Sequence, residues 1–331
     1  MAQLRWSSSH SALTNIIGSV RLLSVNWDTR IRVALDRNRT CVGERINVLR
    51  RLAPLIVVGA FVLLTGFERR RPLRQQHESK LRRVSRNLVF AGIAAATVNL
   101  LERPVVQPLA RMVERRRWGL LYIGRLPHPV HVGLALVLLD YTLYVWHVLV
   151  HRVPWLWRFH LVHHVDLDLD ASTALRFHFG ELAVSIPWRA AQIAAIGVSP
   201  DALAFWQNAL LVSILFHHSN VQLPLDIERA LSRVFVTPRM HGIHHSMIPD
   251  ETNSNWSSGL TVWDWLHGTL RLNVPQREIT IGVPAYRSAE DVTLGKSLEL
   301  PFVPQRPWRL LPGDGEPAAH DTADAATQLR A

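Results

Sequence analysis

Histidine is the residue type that points most directly to chemistry in this sequence. Eleven of the 17 histidines lie in the window from His147 to His245. Eight of them form three boxes: His147-x-x-x-His151, His160-x-x-His163-His164 and His241-x-x-His244-His245. On an α-helix, residues three or four positions apart lie on one face, so each box presents at least two imidazoles to the same side. Because neutral imidazole is the commonest metal ligand, the three boxes predict a metal centre.

Eight imidazoles are more than one ion needs. A catalytic zinc ion uses about three protein ligands, so the eight box histidines can hold two ions and leave positions open. His218, which follows His217 at the end of an apolar run, is expected to be a ninth ligand. For His178 three roles stay open: a metal ligand, a group that supports a ligand, or a structural residue.

Several polar side chains stand where they could orient these imidazoles, because a metal-bound histidine usually donates its second ring N–H to a carboxylate or a carbonyl. Asp140 and Tyr144 share one helical face with His147 and His151. A carboxylate inside an apolar run is costly unless it is paired, which favours an orienting role for Asp140. The weaker candidates, each of which could simply be solvated, are Asp166, Glu181, Asp250 and Asp264.

Five apolar runs surround the boxes and must position them. They span residues 52–67, 88–101, 132–150, 182–198 and 202–216. A full bilayer crossing needs roughly 20 apolar residues, so we expect a mixture of spanning helices and hairpins that only enter the bilayer. Residues 102–128 look like an amphipathic interfacial segment. Pro154 should end the helix that carries His151 and start a separate helix for the second box. Buried helices of a soluble protein are the alternative.

Charge is unevenly distributed along the 331 residues, whose net charge is +11. Residues 1–128 carry 23 Lys and Arg against 7 Asp and Glu, whereas residues 129–331 carry 14 against 19. A basic excess confined to the first third favours a region that flanks anionic lipid over a nucleic-acid-binding domain. The single cysteine, Cys41, excludes a disulfide framework and a cysteine-rich metal site.

We therefore expect an all-α fold, an integral-membrane helical bundle with a histidine-rich helical cap. The predicted organisation is a polar, basic N-terminal segment at 1–50, a membrane-embedded domain at 51–275 and a C-terminal extension at 276–331. Residues 312–331 are rich in Pro, Gly, Ala and Asp, which predicts a disordered tail. The N-terminal segment lacks the hydrophobic core of a secretory signal, so we expect no cleaved signal peptide.

Six stretches combine the boxes with characteristic neighbours. They are Asp140-x-x-x-Tyr144-x-x-His147-x-x-x-His151, Trp157-Arg158-Phe159-His160-x-x-His163-His164, Thr173-Ala174-Leu175-Arg176-x-His178-x-x-Glu181, His217-His218-Ser219-Asn220, Thr237-Pro238-x-x-His241-x-x-His244-His245, and Asn255-Trp256 leading to Trp263-Asp264-x-x-x-Gly268-Thr269. Between about Leu52 and Leu272, their order and spacing resemble the fatty acid hydroxylase / sterol desaturase superfamily of integral-membrane di-iron enzymes. The bacterial members are most similar, with kinship to the alkylglycerol monooxygenase branch. Departures at Val148, Val165, Phe179 and His267 remove no box histidine.

The resemblance implies a helical membrane enzyme whose box histidines hold two irons on the cytoplasmic side, here of a bacterial inner membrane. Such enzymes activate O₂ and hydroxylate or desaturate a C–H bond of a lipid, or cleave an ether lipid. Electrons come from NAD(P)H through a redox partner. The sequence holds no glycine-rich nucleotide motif and no haem-attachment motif, so we expect a separate donor: a cytochrome b5-like protein, a ferredoxin or a reductase.

Other functions compete with this interpretation. A membrane zinc hydrolase would need a catalytic Glu beside a box, and the sequence has no His-Glu-x-x-His motif. A metal transporter would place its ligands near mid-bilayer on spanning helices, whereas the boxes lie at the ends of apolar runs and in polar segments. A lipid-binding protein without catalysis is the third alternative. The lipid itself stays open among fatty acyl, sterol-like, carotenoid, hopanoid and ether lipids.

Overall fold

The computed structural model describes residues 52–308, so the predicted N-terminal segment 1–50 and the tail 312–331 lie outside the described residues. Within this range the chain is helical, and its only extended pairings are three isolated β-bridges. The α-helices are α1 Leu52–Arg70, α2 Lys80–Thr97, α3 Arg103–Arg116, α4 His128–Arg152, α5 Pro154–His164, α6 Phe179–Ile196, α7 Pro200–His218, α8 Leu225–Ser232, α9 Pro238–His244, α10 Pro249–Thr252, α11 Val262–Leu266 and α12 Leu294–Glu299. The described residues from Leu55 onward form one compact unit.

Three helices of the described part are long and apolar enough to cross a membrane. They are Leu52–Arg70, the helical stretch Lys80–Tyr122, which contains α2 and α3, and His128–Arg152. On α1 the side chains of Leu55, Val62 and Leu63 are all more than 60% exposed, which suits contact with hydrocarbon better than contact with water. The hairpin predicted at 182–216 is present as α6 and α7, but neither helix is among these candidate spans.

The second candidate span contains a π-helical turn, Val98–Glu102, between α2 and α3. Pro104 has no N–H for the carbonyl of Leu100, which disrupts the regular hydrogen-bond ladder at this point. The turn buries Glu102 against the Arg189 guanidinium at 3.3 Å and the Gln207 amide at 3.2 Å. The predicted interfacial segment at 102–128 is therefore mostly α3, which continues this span.

The helix break predicted at Pro154 is present and sets the direction of the second box. α4 ends at Arg152, Val153 is extended with φ −96° and ψ 112°, and Pro154 begins α5. A residue before proline is pushed out of the helical region, so this break follows from local sterics. As a result α5 turns back beside the end of α4, and the first two boxes face each other.

A tight turn joins α6 to α7 and closes the apolar core of the bundle. Gly197 ends α6 in the left-handed conformation at φ 88°, and the backbone of Gly119 packs so closely against it that neither residue has space for a Cβ. Ser199 then caps α7 by accepting a hydrogen bond from the N–H of Ala202 at 3.2 Å. The core beside this turn contains Val106, Ala110, Leu139, Ile193 and Leu203.

Residues 276–308, which the sequence assigns to a C-terminal extension, pack against the helix of the second box. Val283, Tyr286, Val292 and Leu300 share one buried cluster with Leu161, Val162 and Val165. Burial of this apolar area holds the outer side of α5 in place, at roughly 1.5–3 kcal/mol for each fully buried large side chain.

A buried polar network fixes the loop that follows the second box. Three aspartates at alternate positions of this loop accept hydrogen bonds from residues 77–87, which lie just before and at the start of α2. They are Asp166, Asp168 and Asp170. Arg83, which is fully buried, forms an ion pair with Asp170. The network ties α2 to the loop directly after His164.

Candidate metal centre

The three boxes and the end of α7 converge on one buried region. Nine histidines there fall into two groups, each with its ligand atoms within 4.8 Å of one another. The first group is His147, His151, His160, His164 and His244, and the second is His163, His218, His241 and His245. All except the half-buried His151 are buried. These are the nine histidines for which ligation is predicted from the sequence.

The two groups form because neighbouring residues on a helix point in different directions. Successive side chains on an α-helix are turned by about 100°, at 3.6 residues per turn. His163 and His164 on α5 therefore face the second and the first group, respectively. The pair His244 and His245 at the end of α9 divides in the same way, with His244 in the first group.

In the first group, hydrogen bonds on the outer ring nitrogens determine which nitrogen faces inward. Nδ1 of His147 donates to the carbonyl of Trp256 at 2.6 Å, and Nδ1 of His244 donates to the carbonyl of Ser254 at 2.9 Å. Nδ1 of His160 lies 3.0 Å from the carboxylate of Glu181. Because these oxygens only accept, the hydrogen must be on Nδ1, and each Nε2 points its lone pair into the group.

The inward nitrogens of the first group have no other use among the described residues. Nε2 of His151, His160, His164 and His244 is buried and has no hydrogen-bond partner there. Buried polar atoms are nearly always partnered, so four orphaned ring nitrogens in one group are what a site for a cation would show. The donor set fits a metal ion.

The second group places its Nε2 atoms against one another. The distance from His218 is 2.9 Å to His163 and 3.0 Å to His241, and His241 lies 3.1 Å from His245. Nitrogens bound tetrahedrally to one ion at 2.0–2.1 Å would be about 3.3 Å apart, close to these separations. Nδ1 of His218 donates to the carbonyl of Ile214 at 2.9 Å, which leaves its Nε2 as an acceptor.

Burial keeps five of the imidazoles outside the candidate spans neutral. Desolvation lowers the pKa of His163, His164, His241, His244 and His245 well below the ordinary value, and the charges of neighbouring histidines lower it further. Only a neutral imidazole has a lone pair for a metal, so these side chains are in the binding form at neutral pH.

Comparison with known proteins agrees with the geometry. Residues 132–269, which contain all nine histidines, match the model of the family described as Fatty acid hydroxylase. This region of the chain, with its three histidine boxes, is similar to the fatty acid hydroxylase family. No solved structure gives a significant match.

Similar proteins of this family act on lipids according to their names. Ornithine lipid hydroxylase OlsE of Rhizobium tropici is 35% identical over 162 residues, which cover 47% of this chain and 46% of that protein. Human cholesterol 25-hydroxylase is 30% identical over 156 residues, 44% of this chain and 54% of its own length. Alkylglycerol monooxygenase of Xenopus tropicalis is 30% identical over 139 residues, 42% and 29% of the two chains. The chain thus spans about half or less of the length of these relatives.

Of the carboxylates predicted to orient the histidines, Glu181 alone contacts one directly. Asp140 instead accepts from the N–H of Leu260 at 3.0 Å and from the indole of Trp263 at 2.7 Å. Asp264 accepts from the N–H of Trp256 at 2.9 Å. Both side chains therefore stabilise the loop whose Trp256 carbonyl accepts the hydrogen bond from His147. They contact this loop and not, as expected, the imidazole ring itself.

Three other polar side chains for which the sequence suggested a role lie away from the imidazole nitrogens of the two histidine groups. The hydroxyl of Tyr144 lies 3.2 Å from that of Thr269, and its ring stacks on His267. Asp166 belongs to the network behind the second box, and Asp250 is exposed.

His178 lies outside both groups of the centre, and the structure gives it a different task. It precedes α6 and caps it, with Nδ1 accepting from the N–H of Gly180 at 3.0 Å and Nε2 donating to the carbonyl of Leu298 at 3.1 Å. Both ring nitrogens are thus in use. His217 also lies outside the groups, although its ring packs 4.1 Å from that of His241.

The sequence did not predict a role for the backbone carbonyls of Ser254 and Trp256, which accept hydrogen bonds from His244 and His147, respectively. Backbone acceptors leave no signature in residue type. The Asn255-Trp256 motif was the one signal for this segment, and Asn255 holds its backbone by bonding to the carbonyl of Arg271 at 2.7 Å.

Glu181→Gln is expected to weaken metal binding at the first group by about 10–100-fold, because the charged acceptor that orients His160 becomes a neutral amide. Metal retained during dialysis against chelators of increasing strength would measure the change. Ser185→Ala is the matched control, since Ser185 lies one turn along α6 and bonds only to the carbonyl of Leu182. Equal metal retention by both variants would contradict the role of Glu181.

Proposed function

We propose that this protein is a membrane di-iron oxygenase that hydroxylates a C–H bond of a lipid. The observation that carries the proposal is the pair of buried histidine groups, whose inward nitrogens are fixed by hydrogen bonds on the outer ones. Two such groups side by side can hold two ions. Similar proteins of the family are named as hydroxylases or a monooxygenase of lipids, which favours hydroxylation over desaturation.

Iron suits this donor set and this family better than zinc. Zinc has no redox chemistry, whereas iron binds imidazole and changes oxidation state. The five-histidine group and the four-histidine group would each hold one ion. When bound, the iron pair would supply activation of O₂ and removal of hydrogen from the lipid.

The residues of this chain orient the imidazoles and exclude water from the histidine groups. Glu181 and the carbonyls of Ser254 and Trp256 hold the imidazoles in the orientation and tautomer that a metal needs. Burial of the groups keeps bulk water from the reacting carbon and from the oxidant, which protects the C–H chemistry from side reactions.

The location proposed for the protein is the bacterial inner membrane, with the histidine groups on the cytoplasmic side. The N–H of Leu73 donates to the carbonyl of Asn220 at 2.9 Å, which places the basic end of α1 beside the end of α7 that carries His218. Arg69, Arg70 and Arg71 therefore lie at the same end of the bundle as the histidine groups. The positive-inside rule favours the cytoplasm for that end.

The lipid product tests the reaction class. In a bacterium that expresses the protein under ¹⁸O₂, we expect a lipid that is heavier than its parent by one oxygen atom and contains ¹⁸O. Cells with the His163→Ala variant should lack this lipid, because the second group loses a ligand. Mass spectrometry of total lipids measures both results.

Three outcomes would contradict lipid hydroxylation. Label that comes from H₂¹⁸O rather than from ¹⁸O₂ would indicate hydrolysis. A lipid that has lost two hydrogens without gaining oxygen would indicate desaturation. An identical lipid profile in cells with the wild-type protein and cells with His163→Ala would remove the support for catalysis at the histidine groups.

A further inference from the structure

A basic cleft borders α9, the helix that carries the third histidine box. Its volume is about 1260 Å³, and its walls are the segment after α1, helix α8, the start of α9 and residues 272–280. Five arginines line it: Arg74, Arg229, Arg233, Arg239 and Arg277. Glu228 and Glu278 are the acidic residues of the lining, so the cleft has a net positive charge.

The floor of the cleft contacts both elements that carry the second histidine group. Nη1 of Arg74 donates to the carbonyl of Pro238, at the start of α9, at 3.3 Å. The backbone N–H of Arg74 donates to the side chain of Asn220, two residues after His218, at 2.9 Å. Burial lowers the pKa of Arg74 to about 10, which leaves the guanidinium charged at neutral pH.

The cleft is separated from the second group by little more than one helix. Met240 lines the cleft, and the next residue on α9 is His241. Arg74 packs so tightly on α9 that Gly242 has no space for a Cβ. An α-helix with its side chains is about 10 Å across, so a redox group held in this cleft would be close to the histidines.

We propose that this cleft is the docking site of an acidic electron-transfer protein, an assignment that rests on the proposed oxygenase function. That function consumes electrons, and these 331 residues carry no nucleotide or haem motif that could deliver them. A positive concave surface attracts an acidic partner and raises its association rate. The large volume and the floor made by α9 suit a protein surface better than the phosphate of a single lipid.

The test uses the full-length, iron-loaded protein in detergent and a reduced plant-type [2Fe–2S] ferredoxin as an acidic probe. Each reduced ferredoxin gives one electron to one Fe³⁺, which becomes Fe²⁺ while the cluster returns to its oxidised form. Stopped-flow absorbance of oxidised ferredoxin measures the second-order rate. The variant is Arg233→Glu with Arg277→Glu, two exposed arginines of the cleft. The control is Arg115→Glu with Arg125→Glu, exposed residues near the opposite end of α4 from His147.

We expect the cleft variant to slow this rate about tenfold or more at low ionic strength, with the difference disappearing at high salt. The control variant should stay within about twofold of wild type. Reduction by photoreduced deazariboflavin, a small neutral reductant, should be equal in all three proteins.

An unchanged ferredoxin rate in the cleft variant, with iron that deazariboflavin reduces normally, would overturn the docking site and leave the oxygenase function standing. An effect of the charge reversal only in phosphatidylglycerol nanodiscs would also overturn it, since the cleft would then face anionic lipid. Absence of reducible iron would overturn the oxygenase function and the docking site together.

Discussion

If the wild type holds the two irons proposed, His244→Ala is expected to leave one iron per chain, with the remaining ion in the second histidine group. His244 belongs to the first group, and its alanine variant removes one of that group's five nitrogen donors together with the link to the Ser254 carbonyl. Loss of an inner ligand should reduce lipid hydroxylation by more than the roughly 10–100-fold expected for an outer partner. Elemental analysis and lipid mass spectrometry measure the two effects.

His241→Ala is the matched counterpart, because it lies three residues earlier on the same helix but belongs to the second group. This variant should also retain one iron, now in the first group, and should likewise lose activity. Mössbauer spectra of the two variants should differ, since one ion keeps four histidines and the other keeps five. His267→Phe removes an exposed imidazole outside both groups and should retain both irons.

The same measurement separates the competing functions. One zinc per chain, in place of iron, would favour a hydrolase. No retained metal would favour a lipid-binding protein without catalysis or a protein that passes ions on. Loss of all metal from both His244→Ala and His241→Ala would show that the nine histidines form one cooperative site rather than two.

The sequence indicated which histidines would lie together, because metal ligation needs particular side chains at helical spacing. The fold brings together all nine histidines that were expected to be ligands. His218 is among them because it is the last residue of the apolar helix α7. The division into two groups was not predictable. Adjacent residues such as His163 and His164 must diverge on a helix, but which group each one faces depends on how α5 packs against α9.

Tertiary contacts also decided the roles of the carboxylates. Asp140 shares a helical face with His147, which indicated an orienting role, yet its oxygens are taken by the N–H of Leu260 and the indole of Trp263. Glu181 looked weaker from the sequence, but it starts α6 at the point where that helix passes His160. Leu260 and Trp263 lie far from Asp140 in the sequence, and Glu181 lies well after His160. Contacts between residues so far apart along the chain leave no pattern in the sequence.

The helices themselves followed from apolar runs and proline positions, whereas their lengths did not. Two separate predictions, an apolar run at 88–101 and an interfacial segment at 102–128, fall largely on one helical stretch, because α2, the π-helical turn and α3 follow one another without a break from Lys80 to Arg116. The charge of Glu102 made the boundary between these two predicted segments look polar. In the structure its carboxylate is buried and pairs with Arg189 and Gln207. Such pairing depends on α6 and α7, which lie far away in the sequence.

Arg83→Met is expected to lower the free energy of unfolding by about 3–5 kcal/mol, because it leaves the buried carboxylate of Asp170 without its closest ion-pair partner and with only the more distant Lys80, at 3.9 Å. The side chains of Arg83 and Asp170 are 0% and 1% exposed, so water cannot replace the lost partner. Urea unfolding in detergent, followed by circular dichroism, measures the change. Arg82→Met is the matched control, since Arg82 is the adjacent, exposed residue and should change stability by less than about 0.5 kcal/mol.

The effect should reach the metal centre through the loop that Asp170 holds. This carboxylate also accepts from the backbone N–H of Ser172 at 2.8 Å, in the loop that leaves the second box after His164. We therefore expect Arg83→Met to lose iron faster to a chelator than Arg82→Met does. A second substitution, Asp170→Asn, should restore part of the stability, because it removes the buried charge that Arg83 no longer balances while keeping an acceptor for Ser172. If Arg83→Met and Arg82→Met unfolded at the same urea concentration, the ion pair would contribute nothing to holding the second box.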